Sequence, residues 1–399
     1  MHPAYTRYSI MHPTTFASLI GLQQIVCWGT LTYAASVFAP SIAQACGISI
    51  AQVMTTYAIG LLTNAAVAPL CTRWVLRVGA FVPACLGLGL MLLACAVLSQ
   101  ASHVAILLCG FMIAGLAMAL TQYDFAFLTV SLYMPLQARR VITLITFYGA
   151  LASSIMWPSA VWLAAHLGTS HAWLALGLIS LIVSLPAVVL AYRLPIAPQA
   201  PHALDAAHLA PARADRASPG RVVLGLIGLA ILGTSIVANL PMVLNMMQTP
   251  PAHTAWILSL FGIGQLAARA LDYAAGRWFS IRATIVACSS SMLIALALML
   301  LVREQVLACA VFSFVLGAAN GLTTILRGVV PQQLFHGQAF ATISALLASY
   351  GALGRAVAPV LAAYALAMAS GLQAMAIIYA LVTLLCAALL WQQMTHVPH

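Results

Sequence analysis

Apolar residues run in stretches of about twenty, broken by short polar turns, from near residue 15 to near residue 392. A helix needs about 20 apolar residues to cross roughly 30 Å of hydrocarbon. The pattern therefore predicts twelve spans, near 15–39, 50–70, 80–99, 104–132, 140–165, 172–193, 222–246, 253–275, 281–302, 305–330, 338–368 and 371–392. The only long polar stretch, 194–220, is rich in Ala, Pro, His and Arg and separates the spans six from six. A segment of that composition buries no core of its own and reads as a linker. The predicted fold class is all-α and integral to a membrane. Its layout is a tail (1–14), a six-helix half (15–193), the linker (194–220), a second six-helix half (221–392) and a closing tail (393–399).

The two halves are copies of one unit. Tyr148-Gly149-Ala150-Leu151 returns as Tyr350-Gly351-Ala352-Leu353, and Gly115-x-Ala117-x-x-Leu120-Thr121 as Gly317-x-Ala319-x-x-Leu322-Thr323, both 202 positions later. Gly60 and Gly262 keep the same displacement, and Pro158 and Pro359 keep it to within one residue. One short match in an apolar chain arises by chance, but several with a common offset indicate an internal repeat. Duplicated helical bundles commonly hold a site between the repeats.

Composition removes the soluble alternatives. The chain is 64% hydrophobic and 5% charged, with a mean hydropathy of +1.06, more apolar surface than water can solvate. All fifteen basic side chains are arginine. Arg7, Arg73, Arg77, Arg139, Arg140, Arg193, Arg213, Arg216, Arg221, Arg277 and Arg282 fall at alternate span ends, and Arg303, beside Glu304, stands at the other side. The positive-inside rule then puts both termini and the linker in the cytoplasm. The positive balance reports orientation; no aromatic-interleaved basic face speaks for nucleic acid. Nine cysteines show no CxxC or Cys/His spacing and read as small apolar packers, so neither a metal nor a cofactor is expected. The first apolar run is long enough to span and lacks a clear cleavage site, so it is expected to be retained. Met11-His12-Pro13 repeats Met1-His2-Pro3, leaving Met11 as an alternative start.

Residues that differ between the copies mark where symmetry was abandoned for a task. At the common offset Asp124 faces Leu326, Arg327 faces Phe125, Arg355 faces Ser153, Arg269 faces Val67 and Asp272 faces Leu70. Each charge in the hydrocarbon costs a few kcal/mol or more, so it faces a wet cavity or a counter-ion. Arg355, deep in its span beside Gly351 and Gly354, suits an organic anion, because a guanidinium offers a fixed fork matched to carboxylate; pairing with Asp124 is the alternative. Arg269 either contacts substrate or latches to Asp272 at i, i+3. Asp124 reads as a proton carrier or as the counter-ion of Arg327 or Arg355. Arg327 reads as a helix-end anchor or an Asp124 partner. Tyr148 and Tyr350, the duplicated pair, are placed to line the path from opposite halves. Trp28, Tyr33, Tyr57, Tyr123 and Trp157 read as packing or interface residues.

In these residues the chain resembles the major facilitator superfamily over essentially its whole length. Pro69-Leu70-Cys71-Thr72-Arg73-Trp74-Val75-Leu76-Arg77-Val78-Gly79 is similar to that family's G-x-L-x-D-R-x-G gating signature, with Arg73, Arg77 and Gly79 kept and with Thr72 and Leu76 in place of the glycine and aspartate. The second copy keeps Arg269 and Asp272. Trp28-Gly29-Thr30-Leu31 and Arg139-Arg140 followed after eight residues by Gly149 resemble the monocarboxylate transporters and their oxalate/formate-exchanging bacterial relatives. That resemblance implies a twelve-helix carrier in which Arg269 and Arg355 hold the substrate carboxylate. Gln265 stands where animal monocarboxylate carriers have an aspartate, so no proton relay is implied there.

The resulting expectation is a secondary carrier in the inner membrane, a monomer, moving a small anionic, monocarboxylate-like substrate by alternating access, with a proton or counter-substrate as the coupled species. The alternative is a carrier of amphipathic or heteroaromatic compounds, of riboflavin-uptake or drug-efflux type. An intramembrane enzyme is disfavoured, since no HExxH, GxSxG or paired intramembrane aspartates occur. A channel suits two dissimilar halves joined by a long linker less well than a rocking carrier does.

Overall fold

The computed structural model describes residues 11–134, 137–193, 218–275, 280–301, 304–335, 337–368 and 370–394, and helices are the regular structure among them. Arg7, Arg213, Arg216, Arg277, Arg303 and nearly all of the linker lie outside the described residues. The helices are α1 (Pro13–Cys46), α2 (Ile50–Val78), α3 (Phe81–Leu98) and α4 (Val104–Tyr133). One unbroken run, Ala138–Arg193, turns back at Gly168 (φ 75°, ψ 161°) and so comprises α5 (138–167) and α6 (169–193). Straight, those 56 residues would reach about 84 Å, nearly three bilayer cores. The second half holds α7 (Pro219–Ala238, continued by Leu240–Met246), α8 (Pro251–Ala275), α9 (Ile281–Leu301), α10 (Val306–Leu334), α11 (Gly337–Leu366) and α12 (Gly371–Met394).

Twelve helices in two sets of six match the expectation, with ten helical segments among the described residues long and apolar enough to cross a membrane, and packing repeats between the sets. α1 lies on α5 as α7 lies on α11, and α3 lies on α4 and α6 as α9 lies on α10 and α12. The α2–α4 crossing is repeated by α8–α10. A Cβ on Gly115 would collide with the carbonyl of Gly60, and one on Gly317 with the carbonyl of Phe261. Both crossings thus bring backbone against backbone, which only glycine permits, and small residues at such crossings are how helices associate without a hydrophobic drive. Two related contacts join the halves, α2 with α11 and α5 with α8.

Two helices depart from the predicted regularity. α1 runs to Cys46 rather than ending near 39, carries Pro40 inside, and widens into a π turn at Gly29–Tyr33. Its outer turns pack against the α5–α6 run and Leu240–Met246, while Pro40 itself stands exposed. α4 breaks at Gln122, which is extended (φ −90°, ψ −169°) and divides Val104–Thr121 from Tyr123–Tyr133. Two side chains support the break: buried Gln24 donates to the Thr121 carbonyl at 2.7 Å, and Gln122 donates from Nε2 to Thr32 Oγ1 at 3.1 Å. α1 therefore supplies a polar side chain to the freed backbone of α4, and the π turn of α1 meets the broken turn of α4 through Thr32.

Candidate functional site

The break in α4 positions the first charge. Because the helix restarts at Tyr123, Asp124 lies in its first turn, the end of a helix dipole that favours negative charge. Its carboxylate reaches across to the other half, where Arg355 Nη2 of α11 stands 4.0 Å from Oδ2. At helical rise Asp124 is about 14 Å from the end of α4, so the pair sits at membrane depth. Even so, the side chains are 32% (Arg355) and 69% (Asp124) exposed. Both side chains therefore stay open where the two halves meet.

Arg327 of α10 joins this pair through a missing side chain. A Cβ on Gly351, one turn before Arg355, would lie 3.4 Å from Arg327 Nη2 and 3.7 Å from Arg355 Nη1. Both guanidinium groups therefore reach one spot beside α11, with Asp124 as the carboxylate near them. Two fixed cations share a single acid.

Arg269 of α8 supplies a third cation. It is 8% exposed and buried between the halves. Nη1 donates to the carbonyl of Thr146 on α5 at 2.7 Å, while Nη2 lies 3.4 Å from Thr324 Oγ1 and 3.5 Å from Gln265 Oε1. Nε has no partner. Among the described residues no carboxylate comes within 4.0 Å of it, so this charge is held by neutral oxygens. That is an expensive arrangement for a buried cation. Further along the same two helices, about 15 Å up α8 at helical rise, Ser154 and Ser259 exchange hydrogen bonds, 2.8 and 3.0 Å, through their hydroxyls and carbonyls. The α5–α8 contact thus combines these polar bonds with a buried aromatic pair, Trp157 on α5 edge-on to Phe261 on α8 at 5.6 Å.

The first half answers with rings. Trp28 of α1 and Tyr123 of α4 lie 5.0 Å apart, and Tyr123 stacks on Phe127 at 5.1 Å and 14°. Trp28 is fixed by a bond from Nε1 to Gln24 Oε1, 3.2 Å, and the Tyr123 hydroxyl fills the space a side chain on Gly149 would take. Tyr33 and Tyr123 stand close enough to Arg269 to interact with its charge.

The other residues singled out from sequence lie elsewhere. Tyr148 packs on Gly21 and donates to Ser18 Oγ at 2.9 Å, within its own half. Tyr350 is 54% exposed, in a row with Leu346, Leu353, Val357, Leu361, Tyr364 and Met368, all exposed. Their three- and four-residue spacing is one helix face, and it is not the face of Gly351 and Arg355. The surroundings of this duplicated pair give no support to their lining the path: one copy packs within its half and the other stands exposed. Arg73 and Arg77 are exposed at the end of α2. Gly79 (φ 80°) closes that helix, a backbone state that a side chain would strain, and Tyr133 Oη accepts from the Ala80 N–H at 2.9 Å. Asp272 accepts from Thr284 Oγ1 at 3.2 Å, so the latch with Arg269 that the spacing allowed is not formed. Thr146, Thr324 and the ring ladder were not legible as site residues, because only packing brings them to the arginines.

Residues 20–359 match the family model described as Major Facilitator Superfamily. No curated protein matches the chain significantly. Among solved structures, it is similar to a bacterial homologue of the human lysosomal transporter Spinster, inward-facing and unoccupied, at a TM-score of 0.70 and 13% identity over 96% of each chain. The inward-facing, occupied form gives a TM-score of 0.69 at 12% identity, again over 96% of each chain. An aspartate-to-alanine mutant of the nucleoside transporter NupG is matched at a TM-score of 0.69 and 12% identity, over 97% of this chain and all of that one.

Proposed function

The chain belongs to the major facilitator superfamily, whose members are secondary carriers working by alternating access, and on that premise we propose that its cargo is a small organic anion of monocarboxylate type. The observation that carries this reading is the surplus of cations: Arg327 and Arg355 share one exposed carboxylate, Asp124, and Arg269 is buried between the halves with no carboxylate among the described residues within 4.0 Å of it. A substrate carboxylate would replace Asp124 on Arg355 and offer the fork a charge-assisted pair closer than the present 4.0 Å. Arg269, now spent on the Thr146 carbonyl, would be released between the halves when α5 and α8 part. Each arginine thus has one partner within the protein and another in the cargo, which is what links binding to rocking. Asp124 then serves as an internal counter-ion, with a proton or a counter-substrate as the coupled species.

The arginine-bearing helix ends support a cytoplasmic assignment for that side, in an inner-membrane protein acting as a monomer. Uptake of radiolabelled lactate into proteoliposomes tests the proposal. Arg355→Ala abolishes it, while Arg355→Lys retains part; normal uptake in Arg355→Ala removes the anion reading. Neutral heteroaromatic cargo is a second reading, favoured by the ring ladder, and uptake of an uncharged aromatic insensitive to Arg355→Ala would establish it.

A further inference from the structure

The carboxylate reading leaves the rings beside the arginines without a task. Trp28, Tyr123 and Phe127 form a continuous ladder, with neighbouring centroids 5.0 and 5.1 Å apart. None of the three is sealed in the core. They do not belong to the lipid face, since Phe127 follows Asp124 by three residues on one side of α4 and Asp124 meets Arg355 of the opposite half. Trp28 and Tyr123 are both anchored, by Gln24 and by the gap at Gly149, so the ladder is rigid before any ligand arrives. Everything aromatic here comes from the first half and everything cationic from the second.

We infer that the cargo is an aryl carboxylate, whose planar ring lies on the Trp28–Tyr123–Phe127 ladder while its carboxylate takes Arg355. This rests on the anion reading and narrows it. Aromatic rings prefer offset or edge contacts at 4.5–7 Å between centroids, a spacing that the ladder already adopts and that a further ring extends. A small aliphatic acid would satisfy Arg355 and leave the ladder wet. A neutral arene would cover the ladder and leave Arg327 and Arg355 sharing one acid. A molecule with both groups touches both halves at once, so binding reports to each half that the site is filled.

Equilibrium binding to the purified full-length protein in nanodiscs, with tritiated benzoate and competition by lactate and by benzamide, separates the possibilities. Benzoate is expected to bind at least tenfold tighter than either competitor. Trp28→Leu is expected to weaken benzoate about tenfold and to leave lactate within about twofold, and Tyr123→Phe, which keeps the ring, to change neither. Should Trp28→Leu fail to fold, Phe127→Leu removes a ring of the same ladder. If lactate matches benzoate and the ring variants move both alike, the aryl inference is overturned while the anion reading stands. Benzamide binding as tightly as benzoate overturns the anion reading and this inference with it, as does the absence of binding by either acid.

Discussion

Replacing Asp124 by asparagine tests the counter-ion role most directly, because the structure fixes both the size and the sign of the effect. At 4.0 Å two unit charges attract by about 4 kcal/mol at an effective dielectric near 20 and by about 1 kcal/mol in water. With side chains 32% and 69% exposed the lower figure applies, in the range measured for exposed ion pairs. Removing the carboxylate therefore lowers folding stability by at most about 1 kcal/mol. The same 1 kcal/mol no longer opposes a substrate that must displace Asp124 from Arg355, so anion affinity rises up to about fivefold. Arg355→Ala loses a charge-assisted contact of about 1.5–3 kcal/mol and weakens binding roughly ten- to hundredfold. In the double variant the gain from Asp124→Asn vanishes, since the competitor matters only while Arg355 is present. Binding of a labelled carboxylate to the four proteins, with thermal unfolding as the stability control, completes the cycle. If Asp124→Asn weakens binding, the carboxylate holds substrate or a coupled cation rather than competing, and the reasoning is refuted.

Other expectations follow from individual contacts. Gly115→Ala and Gly317→Ala each force two backbones apart and lower stability by about 1–3 kcal/mol in thermal unfolding, whereas Gly89→Ala, inside a helix with open space around it, does not lower the midpoint. Gln24→Leu strands the buried Thr121 carbonyl at the α4 break and destabilises by about 1–3 kcal/mol, read in the same assay. Tyr350→Leu leaves transport at the unsubstituted level, because that side chain stands on the exposed apolar face of α11; lost uptake would move it into the path. Arg269→Ala removes the bond to Thr146 and shifts the α5–α8 distance distribution between spin labels toward separation, and an unchanged distribution would make that bond incidental.

The apolar runs and the 202-residue displacement were enough to establish twelve spans, their division six and six, and the candidacy of Arg269, Arg327, Arg355 and Asp124. That follows because a bilayer leaves the backbone few choices and makes every deep charge conspicuous. Partnership was not legible. Asp272 is three residues from Arg269 and still binds Thr284, while Arg269 reaches Thr146, 123 residues away. The π turn of α1 and the break at Gln122 left no mark in the periodicity either, and the break is supported by a polar side chain on the neighbouring helix, Gln24. Tyr148 and Tyr350 show the limit from the other side: a repeat records common ancestry, and only the orientation of each helix within the bundle decides which face meets the other half. The sequence by itself thus determined which residues are costly to keep in a membrane. Tertiary structure decided which of them face one another, because that depends on crossings and helix breaks made by contacts far apart in the chain.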